Sequence, residues 1–198
     1  MTAYLASADD TLAHARDDYF RVNGFGPNGG YDDAWVDFKL GPIPVPFPNT
    51  PSRKRAVRFH DLHHALTGYA TDVRGEFEIS AWEVASGCAD YLAAWQLNLS
   101  GMVGGMLVAP RRTFRAWVRG RRSGNLYRTR YDEALLGRRV ADVRRELGLD
   151  AAPGPARAAD VLWLVPALLG GLAIGLVFLA LLVPVAIIAN VAALLRRR

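Results

Sequence analysis

Three of the chain's four histidines fall in the run Arg58-Phe59-His60-Asp61-Leu62-His63-His64, and Glu76 follows His64 with eleven residues between them. The pattern His-Asp-x-x-His-x(11)-Glu offers imidazole nitrogens and carboxylate oxygens, the ligands of a divalent metal. His60 and His64 are four residues apart, so on a helix their rings share a stripe one turn apart and can grip one cation. Glu76 supplies a carboxylate, and two nitrogens with one carboxylate leave positions open for water or substrate. Zinc is the expected ion for such a set, and non-haem iron uses the same ligands. Asp61 is turned by roughly 100° from His60 around a helix, which makes it either a further ligand or an acceptor that fixes an imidazole tautomer.

Two helices must position these groups. Thr50-Pro51 is a helix start, a capping hydroxyl followed by a proline whose missing N–H costs nothing at the first helical position, and Gly68 is the matching stop. Between them Phe59, Leu62, Leu66 and Tyr69 step by three and four and form the apolar face. A second helix is expected from about Gly75 to Leu99, with Trp82, Ala85, Ala89 and Leu92 as its buried face. Glu76, Ser80, Glu83 and Asp90 lie on another stripe, so a hairpin of the two helices brings Glu76 against the histidines. Glu83 and Asp90 read as ordinary polar-face residues, and the single cysteine, Cys88, as a small buried hydrophobe. His14 falls on a short amphipathic helix expected over Ala8 to Arg21.

Other histidine chemistries match only fragments. His60-x-x-His63-His64 fits one histidine box of the membrane desaturase and hydroxylase type, but such a di-iron site needs about eight histidines and this chain has four. A phosphohydrolase of the His…His-Asp…Asp kind would need His14 as its upstream ligand, and His14 lacks a defining context. The full spacing His60-Asp61-x-x-His64-x(11)-Glu76 resembles that of the ubiquinone (coenzyme Q) biosynthesis proteins of the Coq-four type. Leu66-Thr67-Gly68-Tyr69 and Gly75-Glu76 look like the same block, and the likeness continues in Ala116-Trp117-Val118-Arg119-Gly120-Arg121-Arg122 and Val143-Arg144-Arg145-Glu146-Leu147-Gly148-Leu149. It covers residues 50 to 149.

The resemblance implies a helical protein, peripheral to or embedded in a membrane, that binds a metal and a polyprenylated quinone precursor. It also implies one of two roles: a decarboxylase or hydroxylase acting oxidatively at ring carbon one, or a scaffold that organises other quinone-biosynthesis enzymes around bound prenyl lipid. His60, Asp61, His64 and Glu76 stand at that family's ligand positions, with Glu76 and Asp61 as the candidate catalytic carboxylates. A long apolar tail is not part of the family's pattern.

Composition points to a membrane as well. The chain has 198 residues, 51% of them hydrophobic, enough for one helical domain plus an anchor. After an Ala/Pro-rich linker, every residue from Val161 to Leu195 is apolar, glycine or proline except Asn190, and Arg196 to Arg198 follow. As one helix this run of 35 residues would be about 52 Å long against a hydrocarbon core of roughly 30 Å, so it either spans once, with an interfacial continuation after Pro184, or turns back near Gly170 to Gly175 as a hairpin. Arginines on both flanks favour the hairpin and place the domain on the cytoplasmic side. Between Arg111 and Arg145 twelve arginines face only Asp132, Glu133 and Asp142, a surface suited to anionic headgroups. No nucleic-acid-binding motif accompanies it, so nucleic acid is not an expected partner. Met1 to Asp10 show no signal-peptide pattern. Gly41 to Pro48, rich in proline, should be extended.

These readings converge on an all-α fold: a metal- and lipid-binding domain over residues 1–150, a linker over 151–160, and a membrane anchor over 161–198.

Overall fold

The computed structural model describes residues 3–36, 39–40, 43–44 and 46–196. It is an all-α protein, with helices α1 (Leu12–Asn23), α2 (Pro51–Thr67), α3 (Val73–Ser86), α4 (Leu92–Val108), α5 (Pro110–Gly120), α6 (Glu133–Leu136), α7 (Val140–Glu146) and α8 (Ala158–Arg196). Among the described residues, four two-residue strands interrupt it between α1 and α2. Trp35–Val36 (β1) pairs antiparallel with Phe47–Pro48 (β4), and Lys39–Leu40 (β2) with Ile43–Pro44 (β3). The proline-rich run is thus extended where it is described; Gly41, Pro42 and Val45 lie outside the described residues.

The local signals of α2 operate as their chemistry demands. The Thr50 hydroxyl accepts from the Arg53 N–H, Pro51 occupies the first turn, and Gly68 ends the helix at φ 76°, where a side chain would be strained. Phe59, Leu62 and Leu66 enter the core, and Tyr69 is half-buried against it. Helix α1 begins at Leu12 rather than Ala8, because the Thr11 side chain caps it by accepting from the His14 N–H. Leu12, Ala15, Tyr19 and Phe20 face inward.

The single helix expected from Gly75 to Leu99 is two helices. Ser86 ends α3, Gly87 and Ala89 adopt positive φ of 93° and 45°, and α4 starts afresh at Leu92. The reversal resets the helical register, so Trp82 is buried as expected while Leu92 is 64% exposed. It also lets α4 lie back along α3. Glycines make that approach possible: a Cβ on Gly101 would meet the Ser80 side chain, and one on Gly105 would stand 2.7 Å from Phe77 Cβ and 2.6 Å from the Thr113 hydroxyl.

The apolar tail is one continuous helix, and the reversal near Gly170 to Gly175 does not occur. Gly171 serves close packing instead, for a Cβ there would come within 2.5 Å of the Leu99 carbonyl oxygen on α4. Helix α8 starts at Ala158, inside the expected linker, and its first turn is pinned to the domain. The Trp117 indole donates to the Asp160 carbonyl at 2.9 Å, and Arg122 donates to the Asp160 carboxylate at 2.7 Å. Arg197 and Arg198 lie outside the described residues.

Candidate metal centre

Helices α2 and α3 bring together three of the four expected ligands. His60 Nε2 and His64 Nε2 are 3.1 Å apart, Glu76 Oε2 is 3.3 Å from the first, and Glu76 Oε1 is 3.3 Å from the second. A four-coordinate ion with bonds of about 2.0–2.1 Å has ligand-to-ligand edges of about 3.3 Å, so these separations match the faces of a zinc tetrahedron. The three side chains differ in access: His64 is 1% exposed, His60 20% and Glu76 42%, so the set opens to solvent at the carboxylate.

The far nitrogens of both rings are already committed. The turn at Gly68 places the Tyr69 carbonyl 2.9 Å from His64 Nδ1, and Glu83 Oε1 lies 3.0 Å from His60 Nδ1. Neither partner can donate, so each Nδ1 carries a proton and each Nε2 faces the other ring and Glu76, where it can bind an ion or, on His60, hold a second proton. These three groups could hold a metal ion between them. A proton is the only substitute the chain itself can supply there.

Glu83 is the main feature that the sequence reading missed. It is fully buried in the core, not on a polar face. Its carboxylate accepts from His60 Nδ1, from His63 Nδ1 at 2.6 Å, from the Tyr127 hydroxyl at 2.8 Å and from the Asn98 amide. The tautomer of His63 is set from its other side, because the Leu126 N–H donates to Nε2 at 2.9 Å. Four donors satisfy the buried charge, the condition under which a carboxylate stays ionised in the core. The signal available in sequence was spacing: Glu83 follows Glu76 by seven residues, two turns along the same face. Asp90 is exposed and Cys88 is buried, as expected.

Asp61 does not converge with the other three ligands. It is buried on the adjacent stripe and accepts from the Tyr31 hydroxyl at 2.7 Å. Burial raises its carboxyl to about 6, against the lowering effect of His60 and the Tyr31 hydrogen bond. Burial works against charge on His60, yet the Glu83 carboxylate and the Glu76 contact outweigh it and lift that imidazole well above its ordinary range. Burial would likewise raise Glu76 and Glu83, and the imidazoles prevail, holding both acids below the usual carboxylate range. His63 is lowered, chiefly by burial.

A second group of possible ligands, Asp10, His14 and Asp18, lies on and just ahead of α1. His14 Nδ1 is 2.8 Å from Asp10 and its Nε2 is 4.0 Å from Asp18, with the ring 62% exposed. It is far less enclosed than the pair on α2.

The arginines between Arg111 and Arg145 are in part internally engaged. Arg112 pairs with Glu78, Arg122 with Asp160, Arg138 with Glu146 and Arg144 with Asp150, while Arg119 donates to the Thr67 carbonyl at 3.1 Å. No protein-family model, no curated protein and no solved structure matches this chain.

Proposed function

We propose that the chain is a metal-dependent, membrane-associated enzyme of isoprenoid quinone biosynthesis, which oxidatively decarboxylates a polyprenylated quinone precursor with molecular oxygen as the electron acceptor. The observation that carries the metal part is the convergence of His60 Nε2, His64 Nε2 and the Glu76 carboxylate, with both Nδ1 atoms already bonded elsewhere. Zinc is the ion proposed, and iron is the alternative with the same ligands. A bound ion would supply Lewis-acid polarisation of an oxygen on the ring or its carboxyl group. Glu76, half-exposed at the open edge, would help to hold the ion where solvent reaches the site. Asp61, protonated below about 6, can give or take a proton at its carboxyl oxygen under the control of Tyr31. Apolar helix faces and the tail suit a lipid-tailed substrate and an anionic bilayer, and the quinone assignment rests on the motif spacing.

The competing reading is a scaffold that binds prenyl lipid, gathers other quinone-biosynthesis enzymes and holds a structural metal. Structural zinc sites are closed by four protein ligands. The open edge at Glu76 therefore favours the enzyme. Glu76→Gln separates the two in cells: the enzyme predicts a folded, membrane-bound variant and an accumulating carboxylated precursor. Loss of several biosynthetic enzymes from their complex without that precursor would establish the scaffold.

A further inference from the structure

We propose that the first half of α8, from Ala158 to about Leu176, lies in the plane of the membrane surface beneath the domain and does not cross the bilayer. The inference goes beyond the proposed reaction and rests only on the membrane association of α8.

A helix that crosses a bilayer as a lone span is surrounded by lipid. This one has a side already taken. Leu164 and Gly171 are buried against the domain, Ala167 and Leu168 pack on the core between them, and Gly171 abuts the α4 backbone. The opposite stripe, Leu162, Val165, Leu169, Leu172 and Leu176, follows the 3-4-3-4 spacing of one helix face, and each member is between 49% and 70% exposed. A helix lying in an interface normally has a polar face toward water. Here α4 covers that side, so α8 needs no polar stripe of its own, and the sequence has none between Val161 and Leu176.

Crossing over this stretch would take the domain with it. Helix α8 is docked on α4, and α4 is packed along α3 through Gly101, Gly104 and Gly105. Exposed Arg74 on α3 and the Glu78–Arg112 ion pair would follow into hydrocarbon, where charged side chains are strongly disfavoured. An in-plane placement leaves them in water. It also sets Trp163, 56% exposed with Arg121 5.8 Å above its ring, at the level where aromatic and basic side chains meet headgroups. Arg111 and Arg115 on α5 are exposed close by and add attraction for anionic lipid. The occupant of the outward stripe is therefore a bilayer surface.

The test is a depth profile. Single nitroxides are attached at Leu162→Cys, Val165→Cys, Leu169→Cys, Leu172→Cys and Leu176→Cys in the full-length protein, whose own Cys88 is buried, after reconstitution in phosphatidylcholine vesicles containing phosphatidylglycerol. Because every site is exposed on a helix exterior, each variant should keep the parent's circular dichroism and melting temperature. The expected result is accessibility to oxygen with one shared depth, within about one helical pitch of 5 Å. A crossing helix would show instead a steady gradient of about 1.5 Å per residue, roughly 21 Å from Leu162 to Leu176, and would overturn the proposal. Labels that meet a water-soluble relaxant at all five sites would also overturn it. So would labels shielded from both reagents with spin–spin broadening, which would show that a second copy of the chain covers the stripe.

Discussion

Two regions of this protein set possible metal ligands one helical turn apart, two imidazoles joined by a carboxylate at α2 and two carboxylates flanking a histidine at α1, and the first is the more enclosed. On α2 the rings of His60 and His64 are held by Glu83 and the Tyr69 carbonyl, and Glu76 arrives from a different helix. On α1 the set Asp10, His14 and Asp18 comes from one stretch of chain, its histidine is 62% exposed, and His14 Nδ1 is spent on Asp10 itself. The donor types are alike. What differs is the layer behind the donors, which on α2 removes water, fixes the tautomer and leaves the lone pairs no partner but a cation. A ligand set becomes a binding site when conformational freedom has been lost during folding, before the ion arrives.

The largest test of that contrast is metal content. Wild type is expected to hold about one divalent ion per chain, His60→Ala and His64→Ala close to none, and His14→Ala as much as wild type, measured by elemental analysis of purified protein in detergent. Equal content in wild type and His64→Ala would remove the distinction between the two regions.

The support layer is tested next, at Glu83. Glu83→Ala leaves the Tyr127 hydroxyl, the Asn98 amide and two imidazoles without their acceptor, and should cost about 3–5 kcal/mol in a denaturant melt. Glu83→Gln keeps the volume and weakens the imidazole anchor, so metal affinity in a chelator competition should fall about 10–100-fold. No such loss should follow Asp10→Asn.

A third test uses protons. In the metal-free protein the raised pKa of His60 means that it holds a second proton at neutral pH, and an ion must displace it. Affinity should therefore rise with pH until His60's raised value is passed, and then level off. Calorimetry in buffers of different ionisation enthalpy should show close to one proton released per ion at pH 7. The sign for stability is opposite: the metal-free fold gains from this proton below the ordinary histidine range of about 6.5 and loses the gain as pH climbs through the raised value. Asp61 works in the same direction at lower pH: burial raises its carboxyl to about 6, so the fold loses stability as pH rises from the ordinary aspartate value of about 3.9 to about 6.

The smallest effect is expected on α1. His14 also has a raised pKa, from its hydrogen bond to Asp10, but its ring is largely exposed. His14→Ala should leave the melting temperature and the pH dependence of metal binding as they are in wild type. A clear shift in either would mean that the α1 group is more organised than its exposure indicates.

Features that depend on residues close in sequence could be read directly. The Thr50 cap, the Gly68 stop and the one-turn interval from His60 to His64 are short-range facts of helix geometry, and they appear as expected. The length and apolar composition of the run that becomes α8 were legible too, but its being one helix and not the favoured hairpin was not. What folding decided were the partners of each face. Glu83 has a charged side chain and a polar-stripe position, and nothing local reveals that His60, His63, Asn98 and Tyr127, from three other parts of the chain, surround it. The break at Gly87 to Ala89 needed the packing of α4 on α3 to favour it over a continued helix, and Asp61 needed Tyr31 to draw it away from the ligand group. Gly171 of α8 looked like part of a turn and became a contact with α4, since a residue without a Cβ permits either and only the neighbouring backbone selects between them.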